Sequence, residues 1–126
     1  MPYLHLDLPG TYPVAVQREL AMRLCKLYAD IMETQLWRPN IGIAELGKDN
    51  LYHTGPVGLE PMTMVMIEFR RGRAAEKRLA LGRAIVDACV ELLGVPRGPS
   101  WSSSHHIPTK RSCVTEKWTP AEACAR

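Results

Sequence analysis

Pro2 stands directly behind the first methionine and opens a short alternating run, Tyr3-Leu4-His5-Leu6-Asp7-Leu8. Removal of Met1, which a small side chain at position 2 permits, would leave a secondary amine at the head of that run. An α-amino group ordinarily titrates at about 7.7 to 8.0, and apolar burial or a nearby guanidinium disfavours its protonated form. Such a nitrogen can serve as a base near neutral pH. A base working beside a carbonyl also needs cationic groups, to hold an anionic substrate and to steady the negative charge that grows as the proton leaves. Arg70 and Arg73, three apart on the basic turn Arg70-Arg71-Gly72-Arg73, offer planar forks that fit a carboxylate. Taken alone this reads as a solvated basic turn, since arginine also stands at Arg71, Arg78 and Arg83. Taken with Pro2, it suggests proton transfer on a small anionic organic acid.

The remaining reactive side chains point to less. Tyr3 and His5 alternate with leucines on the first run, so one face of that strand could border a pocket or a subunit contact. Tyr28 lies on an apolar helical stripe and reads as core or, more weakly, as a substrate contact. Trp37 and Arg38 are explained by packing and by a charge at a helix end. Cys25, Cys89, Cys113 and Cys124 form no CxxC pair, which argues against a zinc site or a thioredoxin-like motif. His105-His106 with Cys113 makes a poor metal cluster, because adjacent residues on an extended chain face opposite ways. No metal and no cofactor are expected.

A chain of 126 residues with 46% hydrophobic content fits one domain, residues 1–126, with a real core. The net charge of +3 does not suggest a nucleic-acid partner. No apolar run approaches the roughly 20 residues that span a bilayer, and His5 and Asp7 interrupt the first one, so no membrane partner is expected. The expected compartment is the cytoplasm.

The positioning elements come in two similar sets. After the first strand, Pro9-Gly10 turns the chain and Pro13 suits the first residue of a helix. Leu20, Leu24, Leu27, Tyr28 and Ile31 gather one stripe along it. Pro39 separates that helix from a second strand, Ile41 to Leu46, and Gly47 to Gly58 reads as a turn or hairpin. A strand from Met62 to Phe69 and a helix from about Ala74 to Leu93 repeat the order, with Leu81, Ile85, Cys89 and Leu92 as the stripe and Gly94 as a left-handed cap. This is a pseudo-repeat, 2–58 and 59–107, of two β-α-β units with parallel strands. The expected fold class is α/β (α+β): a four-stranded sheet with two helices on one face. A chain this short has nothing left to cover the other face, which points to oligomerisation. The stretch 98–126 is atypical, and Gly98 to Pro108, rich in serine, is a poor strand.

These features resemble the tautomerase superfamily, over Pro2 to about Pro96. Within it the look is that of the cis-3-chloroacrylic acid dehalogenase group, on Arg70-Arg71-Gly72-Arg73, on Ile85-Val86-Asp87 and on the turn Glu45 to Gly55 with Asn50. The resemblance implies a homotrimer, Pro2 as proton shuttle, and Arg70 and Arg73 as substrate-binding groups. Tyr28 comes near the helix position where that group has a water-activating histidine. The group also draws a tyrosine and a glutamate from its last part. Here no tyrosine follows Tyr52, and Glu116 and Glu122 do not align with it. The leading expectation is therefore a tautomerase or isomerase of a small unsaturated 2-keto or 2-hydroxy acid. A hydratase or dehalogenase of 3-haloacrylates comes second, and a catalytically silent oligomeric scaffold or ligand-binding protein third.

Overall fold

The computed structural model describes residues 2–47, 49–70, 72–95, 101–107 and 115–117; for Arg70 and the last two segments it describes the backbone. Met1 lies outside the described residues. Strand β1, Tyr3–Leu8, alternates as its sequence requires: Leu4, Leu6 and Leu8 are wholly buried, and Tyr3, His5 and Asp7 stand on the opposite face. Helix α1, Val14–Ile31, starts one residue later than expected. Pro13 is its N-cap, and the Pro13 carbonyl accepts the amides of Val16 and Gln17 at 3.0 and 3.1 Å. The helix ends in a Schellman turn, in which Thr34 N–H reaches the Ala29 carbonyl at 2.9 Å and Glu33 takes a left-handed φ of 52°.

Strand β2, Asn40–Glu45, returns parallel to β1. A hairpin follows, β3 Tyr52–Gly55 and β4 Gly58–Pro61, outside the main sheet. Strand β5, Thr63–Arg70, leads to helix α2, Ala75–Leu93, which closes on Gly94 at φ 66° with its N–H on the Val90 carbonyl. Strand β6, Trp101–Ile107, then runs parallel to β5, and β7, Thr115–Lys117, pairs antiparallel with β6. The two β-α-β units meet where β1 and β5 pair antiparallel, giving the order β2-β1-β5-β6-β7.

The two β-α-β units make the expected four strands, β2-β1-β5-β6, and β7 adds a fifth described strand at the edge. One expectation needs correcting: the serine-rich stretch judged a poor strand supplies β6. Strand pairing is made by main-chain groups, so an open edge on β5 can recruit a segment of low intrinsic propensity. The misfit shows as a shift of register between Val65 and Glu68.

The apolar stripes of both helices meet one face of the sheet. Leu20, Leu24 and Tyr28 of α1 and Leu81, Ile85 and Cys89 of α2 join Leu4, Leu6, Leu8, Val65, Ile67 and Phe69 in one buried cluster. On the hairpin the polarity is reversed. Tyr52 and Leu59 share an exposed face and Val57 at the tip is 93% exposed, while His53 and Glu60 pair across the strands on the other face at 3.3 Å. None of the described helices is long and apolar enough to cross a membrane.

Leu6 lies at the centre of the cluster with no solvent exposure. Leu6→Ala should lower unfolding stability by about 2–5 kcal/mol, read as a reduced denaturant midpoint at unchanged slope.

Candidate active site

The start of β1 is fixed by β2. The Pro2 carbonyl accepts the Asn40 amide at 3.0 Å and the Asn40 side-chain Nδ2 at 3.2 Å. On its other side β1 runs antiparallel to β5, with Leu4 opposite Ile67 and Leu6 opposite Val65. Carried two residues toward the chain start, that register sets Pro2 level with Phe69, beside Arg70 at the end of β5. Arg70 pairs along the backbone with Ile107 of β6.

Arg73 follows Gly72, whose φ of 91° turns the chain between β5 and α2 in a conformation that favours glycine. Its guanidinium Nη1 donates to the Met32 carbonyl at 3.0 Å. Met32 caps α1, so the arginine satisfies a carbonyl at the negative end of that helix. In the first turn of α2, Lys77 Nζ lies 2.8 Å from the Glu33 carboxylate. The Lys77 hydrogen bond, and next its charge, hold the Glu33 carboxyl below its usual range; Arg73 adds to this and desolvation opposes it. The start of β1, the start of β2, the end of α1 and the β5–α2 turn therefore gather at one end of the sheet.

Tyr3 is on the sheet face away from the helices. Its hydroxyl meets His5 Nδ1 at 3.1 Å, and His5 Nε2 meets Asp7 Oδ1 at 2.8 Å. A carboxylate only accepts, so in a neutral His5 the Nε2 carries the hydrogen and Nδ1 is left to accept from Tyr3. Gly42 on β2 makes room for this ladder: a Cβ there would fall 2.1 Å from the Tyr3 hydroxyl oxygen. Tyr28 is 3% exposed and sits in the core cluster. Of the sequence candidates, Pro2, Arg70 and Arg73 thus come to one end, Tyr3 stands on the open face beside them, and Tyr28 packs beneath.

Asn40, Glu33 and Lys77 were missed from the sequence. Nothing in their spacing marks them, because each meets its partner through the packing of α1 on α2 or of β1 on β2. That Tyr3 and His5 share a face was legible, since alternate residues of a strand do; the hydrogen bonds that extend to Asp7 were not. Elsewhere, burial pushes the Cys89 thiol up to about 12 and also raises that of Cys25. Among the described residues, no three His, Cys, Asp or Glu groups are placed to hold a metal ion; the Cys113 and Cys124 positions lie outside them.

The same architecture recurs in solved structures. The chain shares its fold with solved structures of fused 4-OT and of macrophage migration inhibitory factors. A native fused 4-OT is 22% identical over 98% of this chain and 99% of its own, with a TM-score of 0.74. A symmetric trimer of wild-type fused 4-OT is 20% identical over 97% and 98%, also at 0.74. The macrophage migration inhibitory factor of Toxoplasma gondii is 18% identical over 93% and 94%, at 0.69. The likeness is one of fold, and it does not single out the dehalogenase group. No protein-family model matches the sequence, and neither does any curated protein.

A thiol held at about 12 is almost wholly protonated at pH 8. Cys89 should therefore resist iodoacetamide at pH 8 in the native protein and react once the chain is unfolded, as read by peptide mass spectrometry.

Proposed function

We propose that this protein is a cofactor-independent tautomerase or isomerase of a small unsaturated 2-oxo or 2-hydroxy acid, with the Pro2 nitrogen moving the proton. The observation that carries this is the antiparallel register of β1 on β5, which sets the amino end of β1 beside Arg70. Arg73 joins them from the following turn, its orientation fixed by the Met32 carbonyl.

The chemistry follows from those groups. The substrate carboxylate lies on the guanidinium forks, which present paired N–H donors to its two oxygens. The free amine takes a proton from the carbon or hydroxyl next to the carbonyl, and the electron pair moves through the conjugated system onto oxygen. Arginine stabilises that enolate because its donors are in place before the charge develops. Returning the proton at another position completes the isomerisation, with no redox change and no external group. Another similar structure, 18% identical at a TM-score of 0.73, is that of Pt0534 inactivated by 2-oxo-3-pentynoate. An alkynyl 2-oxo acid joins a carboxylate to an electrophile, the combination that an amine beside arginines would capture.

The assembly proposed is a homotrimer. Fused 4-OT structures are trimers. Here the sheet face carrying Tyr3, His5 and Asp7 lies away from the helices, and the hairpin turns Tyr52, Val57 and Leu59 to solvent. A two-stranded hairpin alone is marginal in water, and a second copy would cover its apolar side. Hydration of a 3-haloacrylate would need a water-activating side chain as well, and Tyr28, the nearest in sequence to that position, is buried in the core.

With phenylpyruvate or 2-hydroxymuconate as substrate, Pro2→Ala should lower kcat/KM by about a hundredfold or more, and halide release from chloroacrylate should not be detected. Incubation with 2-oxo-3-pentynoate should add one equivalent, mapped by peptide mass spectrometry to the Pro2 nitrogen. An active protein whose intact mass retains Met1 would overturn the mechanism, because the Pro2 nitrogen is then a tertiary amide without basicity.

A further inference from the structure

Glu33 is a glutamate where a helix ending of this kind usually has glycine. It is the residue after the cap of α1 and takes φ 52°, and no other non-glycine among the described residues has a positive φ. Left-handed backbone is strained for a residue with a Cβ, and glutamate lacks the short polar side chain by which asparagine or aspartate offsets the strain. What the conformation achieves is placement: the Glu33 carboxylate reaches Lys77 at 2.8 Å, across the junction between α1 and α2. The preceding carbonyl, that of Met32, holds Arg73 at 3.0 Å. Two successive residues of one helix end therefore engage two successive cations of the β5–α2 segment, and they do so differently. Lys77 meets a carboxylate. Arg73 meets a neutral carbonyl and, among the described residues, has no carboxylate within ion-pair distance. Lys77 is paired directly with the Glu33 carboxylate, whereas Arg73 feels that carboxylate only at longer range.

We propose that Glu33 is a specificity-determining residue of the Pro2 site, cancelling Lys77 so that the site selects acids with one carboxylate over acids carrying a second at the far end. This rests on the carboxylate-binding role assigned to Arg73 above. With Glu33 in place, a second carboxylate approaching α2 meets a neutral pair and the nearby negative oxygens of Glu33. Without it, Lys77, four residues after Arg73 and in the first turn of α2, is left as a second anion-binding group. The ion pair is exposed, so the effect is modest and sensitive to salt.

Calorimetric binding of phenylpyruvate, with one carboxylate, and 2-oxoadipate, with two, tests this in the full-length protein. In Glu33→Gln the ratio of affinities should move toward the diacid by about two- to fivefold at low salt. The shift should vanish at 0.5 M salt and in Glu33→Gln combined with Lys77→Gln. Glu33→Gly should give the same shift with an equal or higher melting temperature, because glycine relieves the left-handed strain; this keeps the test open if the glutamine variant folds poorly. Binding of both acids with an unchanged ratio in the variants would overturn the role of Glu33 alone. Failure of the wild-type protein to bind either acid would overturn the carboxylate site and this inference with it.

Discussion

The antiparallel contact between β1 and β5 joins the two β-α-β units, and the position of the candidate groups at the start of β1 and the end of β5 depends on its direction. Each unit is a parallel strand pair with its crossover helix, and both bury their apolar residues in one shared core. At the junction, Leu4 against Ile67 and Asp7 against Met64 set the start of β1 at the end of β5. A parallel junction would put Pro2 at the far end of an eight-residue strand. At roughly 3.3 Å per residue that is about 25 Å from Arg70, beyond the reach of any side chain.

At the end of the sheet so defined, Arg73 is held by the protein itself. The last carbonyls of α1 lack partners within the helix, and one of them takes Arg73. A cation is also favoured there by the helix dipole. The next residue turns left-handed and delivers a carboxylate to Lys77. A guanidinium fixed in this way need not reorganise when negative charge appears nearby, which is the condition under which such groups stabilise a transition state most.

The opposite face of the sheet has a different logic. A hydrogen-bonded ladder of Tyr3, His5 and Asp7 runs along β1 beside Gly42, with Tyr3 exposed and His5 and Asp7 half-buried on the face away from the helices. The hairpin sends its apolar residues outward and keeps His53 and Glu60 on its other face. The outward apolar residues of the hairpin are what the proposed contact between copies would cover.

Much of this was legible in the chain. Leucines at alternate positions announced β1, stripes at helical spacing announced α1 and α2, and Gly94 marked the end of α2, because these signals act between residues near in sequence. Pro2, Arg70 and Arg73 were recognisable as reactive types from their chemistry. The strand Trp101–Ile107 was not, since its composition opposes a strand and its pairing comes from the edge of β5. Glu33, Lys77 and Asn40 were equally silent, each being defined by a partner on another element. Residue types and local periodicity thus settled which elements form and which groups could react. Which ends meet was decided by strand direction and helix packing, long-range contacts whose free energy depends on the whole core and is written at no single position.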